Sequence, residues 1–484
     1  MTATASGGES VGLNWFATER PTKKLGAQAI AFIASRGVLV ASTVLVAHAV
    51  GIADYGVFAL AMVVYQGGLL LRDAGLGQAL IVLGRDHPSL AWPAFVGISV
   101  VGFALAAAMA LLADPITAVL GLPASGQLRI LALAFGIGSL GIASNATLER
   151  QLRFQARAVV DIVSYSALGG VTVLGLLAGW GVNSLAAGYV AQGILQAIVA
   201  IALAPPWTAR VPGNAAPIGH LLRYATLLWL GALLTYLATN LDNATVGRLG
   251  GSVPLGIYAL AYTLGTTLTI SPAQVLNRVA LPYYARDVRD PGRLRTALDT
   301  ILPLSASAAV VPAILVMAVA PEIASAIFRQ PSAVAPLVIL SVFGVVRSAA
   351  MGIGTAANGI GLARHATTSA WLNVMIMAVA VPVGFELAGP AGVACAVLVA
   401  ISASSMVMAW QLVRHAHASL RGLVAPLTLS VVAGLAALLL QDRGSLPLRL
   451  GLAAIEIVVA GLLIQSHVQL DWRQSHQPEH SAGA

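Results

Sequence analysis

The sequence predicts an all-α polytopic membrane protein. Three observations carry that reading: the composition, the spacing of the apolar runs, and the places where cations fall. Of 484 residues, 58% are hydrophobic and 9% are charged, whereas a soluble domain carries about 25% charged residues. So little charge cannot coat a water-facing surface, and a single large soluble core is excluded. Apolar runs recur along the whole length, each near the roughly 20 residues that a bilayer crossing requires. The net charge of +8 sits in short loops between those runs. That is the pattern that orients helices in a membrane, and it argues against nucleic acid as a partner.

Reading apolar runs against polar breaks gives fourteen candidate helices. They cover roughly 25–50, 56–83, 90–113, 127–147, 158–179, 182–204, 220–248, 254–279, 297–320, 333–356, 366–387, 390–413, 422–440 and 447–467. Turn chemistry marks the breaks, as in Gly51–Gly56, Gly179-Trp180-Gly181, Gly250–Pro254 and Gly389-Pro390. With the N-terminus placed in the cytoplasm, 17 of the 26 Lys and Arg fall on the cytoplasmic side. Five fall opposite (Arg129, Arg248, Arg329, Arg443 and Arg449), and four lie within helices. That bias sets the orientation, with both termini inside. The first apolar stretch is too long for a cleaved signal peptide and is followed by many others. The single cysteine, Cys395, excludes a disulfide framework. His415 and His417 read as a solvated cytoplasmic turn, so no metal site is expected.

An internal repeat divides the chain. Gly51-Ile-Ala-Asp-Tyr-Gly-Val-Phe-Ala-Leu-Ala returns 200 residues later as Gly251-Ser-Val-Pro-Leu-Gly-Ile-Tyr-Ala-Leu-Ala. Both copies stand at the turn between the first and second helix of a six-helix set. The resulting plan is a segment 1–24, an N-lobe 25–205, a linker 206–219, a C-lobe 220–413, an accessory helix pair 414–467 and a tail 468–484. Repeats of this parity place a transport site between the lobes near mid-membrane.

Charges inside the membrane are costly and usually face a bundle interior or a wet cavity. Arg36 lies in the first helix, and Arg72 with Asp73 interrupts the second. Asn240, Asp242 and Asn243 form a polar cluster in the seventh helix, with Arg248 six residues beyond Asp242. Arg278 lies in the eighth helix and Arg347 in the tenth. Snorkelling of Arg36, Arg72 or Arg278, or structural pairing of Arg72 with Asp73 and of Asp242 with Arg248, is the plainer account of each one. Taken together, four arginines over both halves suggest a cavity suited to an anion such as pyrophosphate. Asp161 is expected near the headgroups, and Glu456 has no evident role. No Walker A loop, zinc spacing, nucleophile elbow or dinucleotide turn appears, so neither a cofactor nor an enzymatic activity is expected.

These residues resemble the polysaccharide transporter family, oligosaccharide flippases of the MOP superfamily that also holds the lipid II flippases and MATE exporters. The resemblance rests on the Gly51–Ala61 run, Leu71-Arg-Asp-Ala-Gly-Leu-Gly-Gln-Ala-Leu, and Glu149-Arg-Gln-Leu-Arg-Phe. It continues in Asn240-Leu-Asp-Asn, Leu255-Gly-Ile-Tyr-Ala-Leu-Ala-Tyr and Val279-Ala-Leu-Pro-Tyr-Tyr-Ala-Arg, so that it spans roughly residues 25–410. It implies a two-lobed, alternating-access flippase in the plasma membrane for a polyprenyl-diphosphate-linked sugar. Glycosyltransferases and a polysaccharide polymerase would be its partners besides membrane lipid. The implied basic cavity would draw on Arg36, Arg72, Arg278 and Arg347. A MATE-like exporter would need an acid in the first helices, where this chain has Arg36. A membrane-embedded glycosyltransferase or polymerase would need larger outer loops or acids at the outer face.

Overall fold

The computed structural model describes residues 21–73, 91–151, 153–209, 218–287, 290–416, 418–441 and 444–475, and among them there is no strand. The first helices are α1 (Pro21–Val50), α2 (Ile52–Asp73), α3 (Ala91–Leu111), α4 (Ala113–Leu120), α5 (Ser125–Ser139), α6 (Ile142–Arg150), α7 (Phe154–Leu177) and α8 (Asn183–Leu203). There follow α9 (Ile218–Gly250), α10 (Ser252–Asp287), α11 (Pro291–Ala318), α12 (Val334–Gly359), α13 (Ala363–Ala416), α14 (Arg421–Leu440) and α15 (Leu446–Ser475). Between α11 and α12 runs a short connector, a helical turn Ala320–Ile323 that continues as a π turn Ala324–Phe328.

Among the described residues, ten helices are long and apolar enough to cross a membrane, or eleven with the bent pair α5–α6 counted as one span. The expectation of fourteen counts α13 twice and adds α9 and α15. In α13 the helical geometry fails only at Ala388 and Gly389, with Gly389 at φ +56°, at the turn read from Gly389-Pro390. The predicted 127–147 helix is instead bent by 44° between α5 and α6. At that bend the backbone of Ala197 stands 3.1 Å from where a Gly141 Cβ would lie, so α8 packs directly against the break. The broad turn read over Gly51–Gly56 shrinks to one residue. Gly51, at φ +90°, reverses the chain alone, and α2 begins at Ile52. Residues 1–20, 74–90, 210–217 and 476–484 lie outside the described residues, and with them parts of the expected N-terminal segment, second helix, linker and tail.

The helices form two groups. In the first, α7 packs on α1 and α8, while α5 packs on α3 and α8. In the second, α10 packs on α11 and α12, and α13 packs on α9 and α12. Small residues permit the closest approaches, since without a hydrophobic drive between helices in lipid, van der Waals contact between backbones must supply the attraction. A Cβ on Gly344 of α12 would come within 2.0 Å of Thr269 Oγ1 on α10. The final pair, α14 and α15, packs on α11, and α14 also reaches α12. Leu111, Leu177, Leu387 and Leu439, each more than three-quarters exposed, point outward, as in a protein whose solvent is lipid.

The groups meet through α2 and α10, with α9 against α2 and α1 against α10. Their contact follows the sequence repeat. A Cβ on Gly56 would lie 1.9 Å from the carbonyl oxygen of Ser252, and one on Gly256 would lie 2.1 Å from that of Ile52. Residues 52 and 252, like 56 and 256, are equivalent in the two copies, so the seam is close to a two-fold contact of backbone on backbone. Two further bonds flank it. His48, at the end of α1, bonds through Nδ1 to the carbonyl of Ala326 in the connector (3.0 Å). Arg248, at the end of α9, donates through Nη1 to the carbonyl of Val119 in α4. Positions 48 and 248 are also 200 residues apart, and each ties its own group to the other group's inter-helix connection. Deeper in the seam, the Tyr236 hydroxyl donates to the Val63 carbonyl (3.0 Å).

Candidate functional site

In each group an arginine stands on an aromatic face that connects to a seam helix. In the first, Arg72 at the end of α2 donates through Nη1 to the Phe135 carbonyl (2.8 Å), and its guanidinium stands 4.9 Å above the Phe135 ring. Phe135 meets Tyr65 edge-on at 6.2 Å, and Tyr65 lies 5.9 Å from Tyr189. In the second, Arg347 stands 5.7 Å above Phe343, which lies 5.9 Å from Tyr262, itself 6.2 Å from Tyr258. Tyr65 belongs to α2 and Tyr262 to α10, the two helices that form the seam. Both stacks are therefore anchored on seam helices, one from each side. A guanidinium over an aromatic ring keeps its charge while losing rotational freedom, which prepares it for an anionic ligand.

Glycine makes room for Arg72. Its Cδ lies 3.4 Å from where a Gly102 Cβ would stand, and its Nη1 3.3 Å from that of Gly138. The side chain thus runs between α3 and α5, and does not snorkel to the end of the bundle. Arg36 is half-buried and packs over Phe32 at 5.1 Å.

The polar cluster of α9 is built around Asp242, which is 1% exposed. Its Oδ2 accepts from the Tyr258 hydroxyl (2.6 Å), and its Oδ1 accepts from the backbone N–H of Asn243 (2.8 Å). Arg347 stands within electrostatic range of the same carboxylate. The anticipated Asp242–Arg248 pair does not form, because Arg248 is taken by the Val119 carbonyl and Asp242 by Tyr258. Asn240 turns its amide to the Tyr236 carbonyl (3.2 Å) and the Thr239 hydroxyl (3.0 Å). The structure therefore gathers Asp242, Asn243 and Arg347 into one network and places Arg72 in a second. The side chains of Asp73 and Arg278 lie outside the described residues. Tyr258→Phe removes the hydroxyl donor from a buried carboxylate. The expected loss is about 1.5–3 kcal/mol, read as a lowered unfolding temperature of the purified protein in detergent.

Three further residues lie outside this region. Asp161 is bonded to Arg157 (2.7 Å), which also reaches Glu149 (3.2 Å), so it belongs to a charge network with those residues. Arg449, counted among the five cations opposite the cytoplasmic side, is 7% exposed and paired with Glu322 of the connector. His415 is exposed as expected, but in the last turn of a helix and not in a loop turn. It lies in α13, 5.4 Å ring to ring from His365; His417 is outside the described residues.

The aromatic partners were the part missed in the sequence, although a signal was there. Phe32 and Arg36, Phe343 and Arg347, and Trp410 and Arg414 all stand four residues apart and are all stacked, which is the spacing of neighbours on one helical face. Among the described residues, Phe135 with Arg72 is the long-range pair that spacing could not reveal.

The bundle is a polytopic helical membrane protein whose two groups of helices meet at one seam. The chain belongs to the family described as polysaccharide biosynthesis protein, which matches residues 45–323, more than half of its length. Among curated proteins it is 24% identical over 320 residues to the lipopolysaccharide biosynthesis protein WzxC of Escherichia coli, covering 62% of each chain. It is 23% identical over 225 residues to the teichuronic acid biosynthesis protein TuaB of Bacillus subtilis, covering 45% of this chain and 46% of that one. It thus spans less than two thirds of either relative. Among solved structures, the lipid II flippase MurJ in an inward closed conformation superposes with a TM-score of 0.70 at 15% identity. That likeness covers 93% of this chain and 99% of MurJ. An inward-facing multidrug resistance MATE transporter superposes at 0.65 and 16% identity, over 80% of this chain and 98% of its own.

Proposed function

We propose that this protein moves a polyprenyl-diphosphate-linked oligosaccharide across the plasma membrane by alternating access, for surface polysaccharide assembly and without altering the molecule chemically. The observation that carries the proposal is the pair of guanidinium–aromatic stacks, Arg72 on Phe135 and Arg347 on Phe343, one in each group and both anchored on seam helices. A diphosphate matches such groups in charge and in bidentate geometry. Aromatic faces beside them suit the apolar faces of sugar rings. The family and the relatives WzxC and TuaB, named for lipopolysaccharide and teichuronic acid biosynthesis, support the same substrate class. The boundaries 25–205 and 220–413 are the lobes of this reading, with 414–467 as an accessory pair. Both termini lie in the cytoplasm. The seam contacts at Gly56, Gly256, His48 and Arg248 then close the outer face, and the described state is shut toward the outside. Glycosyltransferases and a polymerase act before and after the transfer.

Purified protein in liposomes with a fluorescent polyprenyl-diphosphate sugar tests this directly. Transfer of intact label to the opposite leaflet is the expected result. A chemically altered product without movement would establish an enzyme instead. Export of a small cation without movement of the lipid would establish the MATE-like alternative.

A further inference from the structure

A second site lies away from the seam, where α15 packs on α11 and α14. Arg449 there is 7% exposed, and its Nη2 bonds to Oε1 of Glu322. Its Nε and Nη1, and Oε2 of Glu322, are buried and bond to no protein atom. A buried donor or acceptor left unpaired costs about 1–3 kcal/mol, and more when charged. Three such atoms on one ion pair mark a place built to receive something. Arg449 lines a recess of about 300 Å³, counting its open mouth, together with Glu456, Ile314, Met317, Ala437 and Leu452. On the flank, Leu446, Leu448 and Leu450 are exposed toward lipid.

The charges specify the occupant. One guanidinium and two carboxylates do not suit a purely anionic ligand. They suit a zwitterion that brings a phosphate and a hydrogen-bonding ammonium. We propose that Arg449 and Glu322 bind the headgroup of a phospholipid carrying a primary ammonium, a phosphatidylethanolamine, from the leaflet at that end of the bundle. The phosphate accepts from Nη1 of Arg449, and the ammonium donates to Oε2 of Glu322. Glu456 stands seven residues further along α15, about 10 Å deeper at 1.5 Å per residue, level with the glycerol esters. The exposed leucines lie along the acyl chains. Glu322 sits in the same short connector whose Ala326 carbonyl takes His48. A lipid held here therefore braces the segment that joins the second group to α1.

The test is independent of transport. The full chain is reconstituted in nanodiscs of phosphatidylethanolamine, phosphatidylcholine or phosphatidylglycerol, and the lipid retained after extraction into mild detergent is counted per chain by mass spectrometry. Wild type is expected to keep about one phosphatidylethanolamine and at least tenfold less of the other two. Arg449→Gln should lose that lipid at least tenfold. Glu322→Gln should exchange its preference for phosphatidylglycerol, because the freed guanidinium then faces an anion with no opposing carboxylate. This variant decides the matter should Arg449→Gln not fold. Equal retention of phosphatidylethanolamine by wild type and both variants, or none above the level of bulk lipid in wild type, would overturn the proposal and leave the recess as a water-filled cavity.

Discussion

Arg72→Ala and Arg347→Ala are each expected to slow transfer of a polyprenyl-diphosphate sugar about ten- to a hundredfold. Losing one charge-assisted contact to a phosphate costs about 1.5–3 kcal/mol, and about 1.4 kcal/mol is a factor of ten in rate. The two positions differ in what a lysine can restore. Arg72 bonds the Phe135 carbonyl through Nη1 while stacking on its ring, and an ammonium cannot do both in the same geometry. Arg347 only stacks on its neighbour of the same helix and faces Asp242 electrostatically. Arg347→Lys should therefore recover more activity than Arg72→Lys. Leaflet-transfer rates in liposomes, normalised to reconstituted protein, give the comparison. Unchanged transfer in the Arg72→Ala, Arg347→Ala double variant would remove the paired stacks from the mechanism.

Gly56→Leu is expected to hold the seam apart. The obstacle is the backbone carbonyl of Ser252, 1.9 Å from the new Cβ, and no side-chain rotation relieves a clash between Cβ and backbone. Overpacking of this kind costs about 1–3 kcal/mol or more. Here the cheapest relief is separation of α2 from α10, since nothing covalent joins them at that point. The readout is a membrane-impermeant thiol reagent on Ser252→Cys, with Cys395 changed to Ala so that the native thiol is silent. Labelling should rise at least tenfold over the same pair of changes with Gly56 intact, and transfer should stop. Equal labelling would show that this contact does not close the outer face.

Much of the architecture was legible in the sequence because lipid imposes a simple rule. Backbone groups must be satisfied within each segment, so apolar runs of sufficient length become helices. The predicted runs accordingly fall on helices wherever the chain is described, and the short α4 lies between two of them. The turn at Gly389-Pro390 is also where α13 loses helical geometry. What composition could not show was tertiary closeness. The bend between α5 and α6 arises from α8 crossing Gly141, and nothing local announces it. The arginines were legible as anomalies in apolar surroundings, yet their partners were not. Phe135 lies 63 positions from Arg72 and Glu322 lies 127 from Arg449. Arg449 stands at the start of the predicted 447–467 helix, where nothing local shows that packing of α15 on α11 and α14 buries it.

The near two-fold contact at Gly56 and Gly256 has the form of an isologous interface, in which one patch meets a second copy of itself. Joined in one polypeptide, the two patches became separate positions, and a mutation now strikes one face of the contact at a time. Geometry still binds them as a couple. A bulkier residue at 56 meets the same obstacle as one at 256, and both must stay small for either to be tolerated. The stacks are under no such obligation. One half drew its cation from the end of its second helix, and the other drew its own from its fourth, where the buried carboxylate of Asp242 stands nearby. Likeness is enforced where the halves touch each other, and difference is free to accumulate where they face a cargo that has no symmetry of its own.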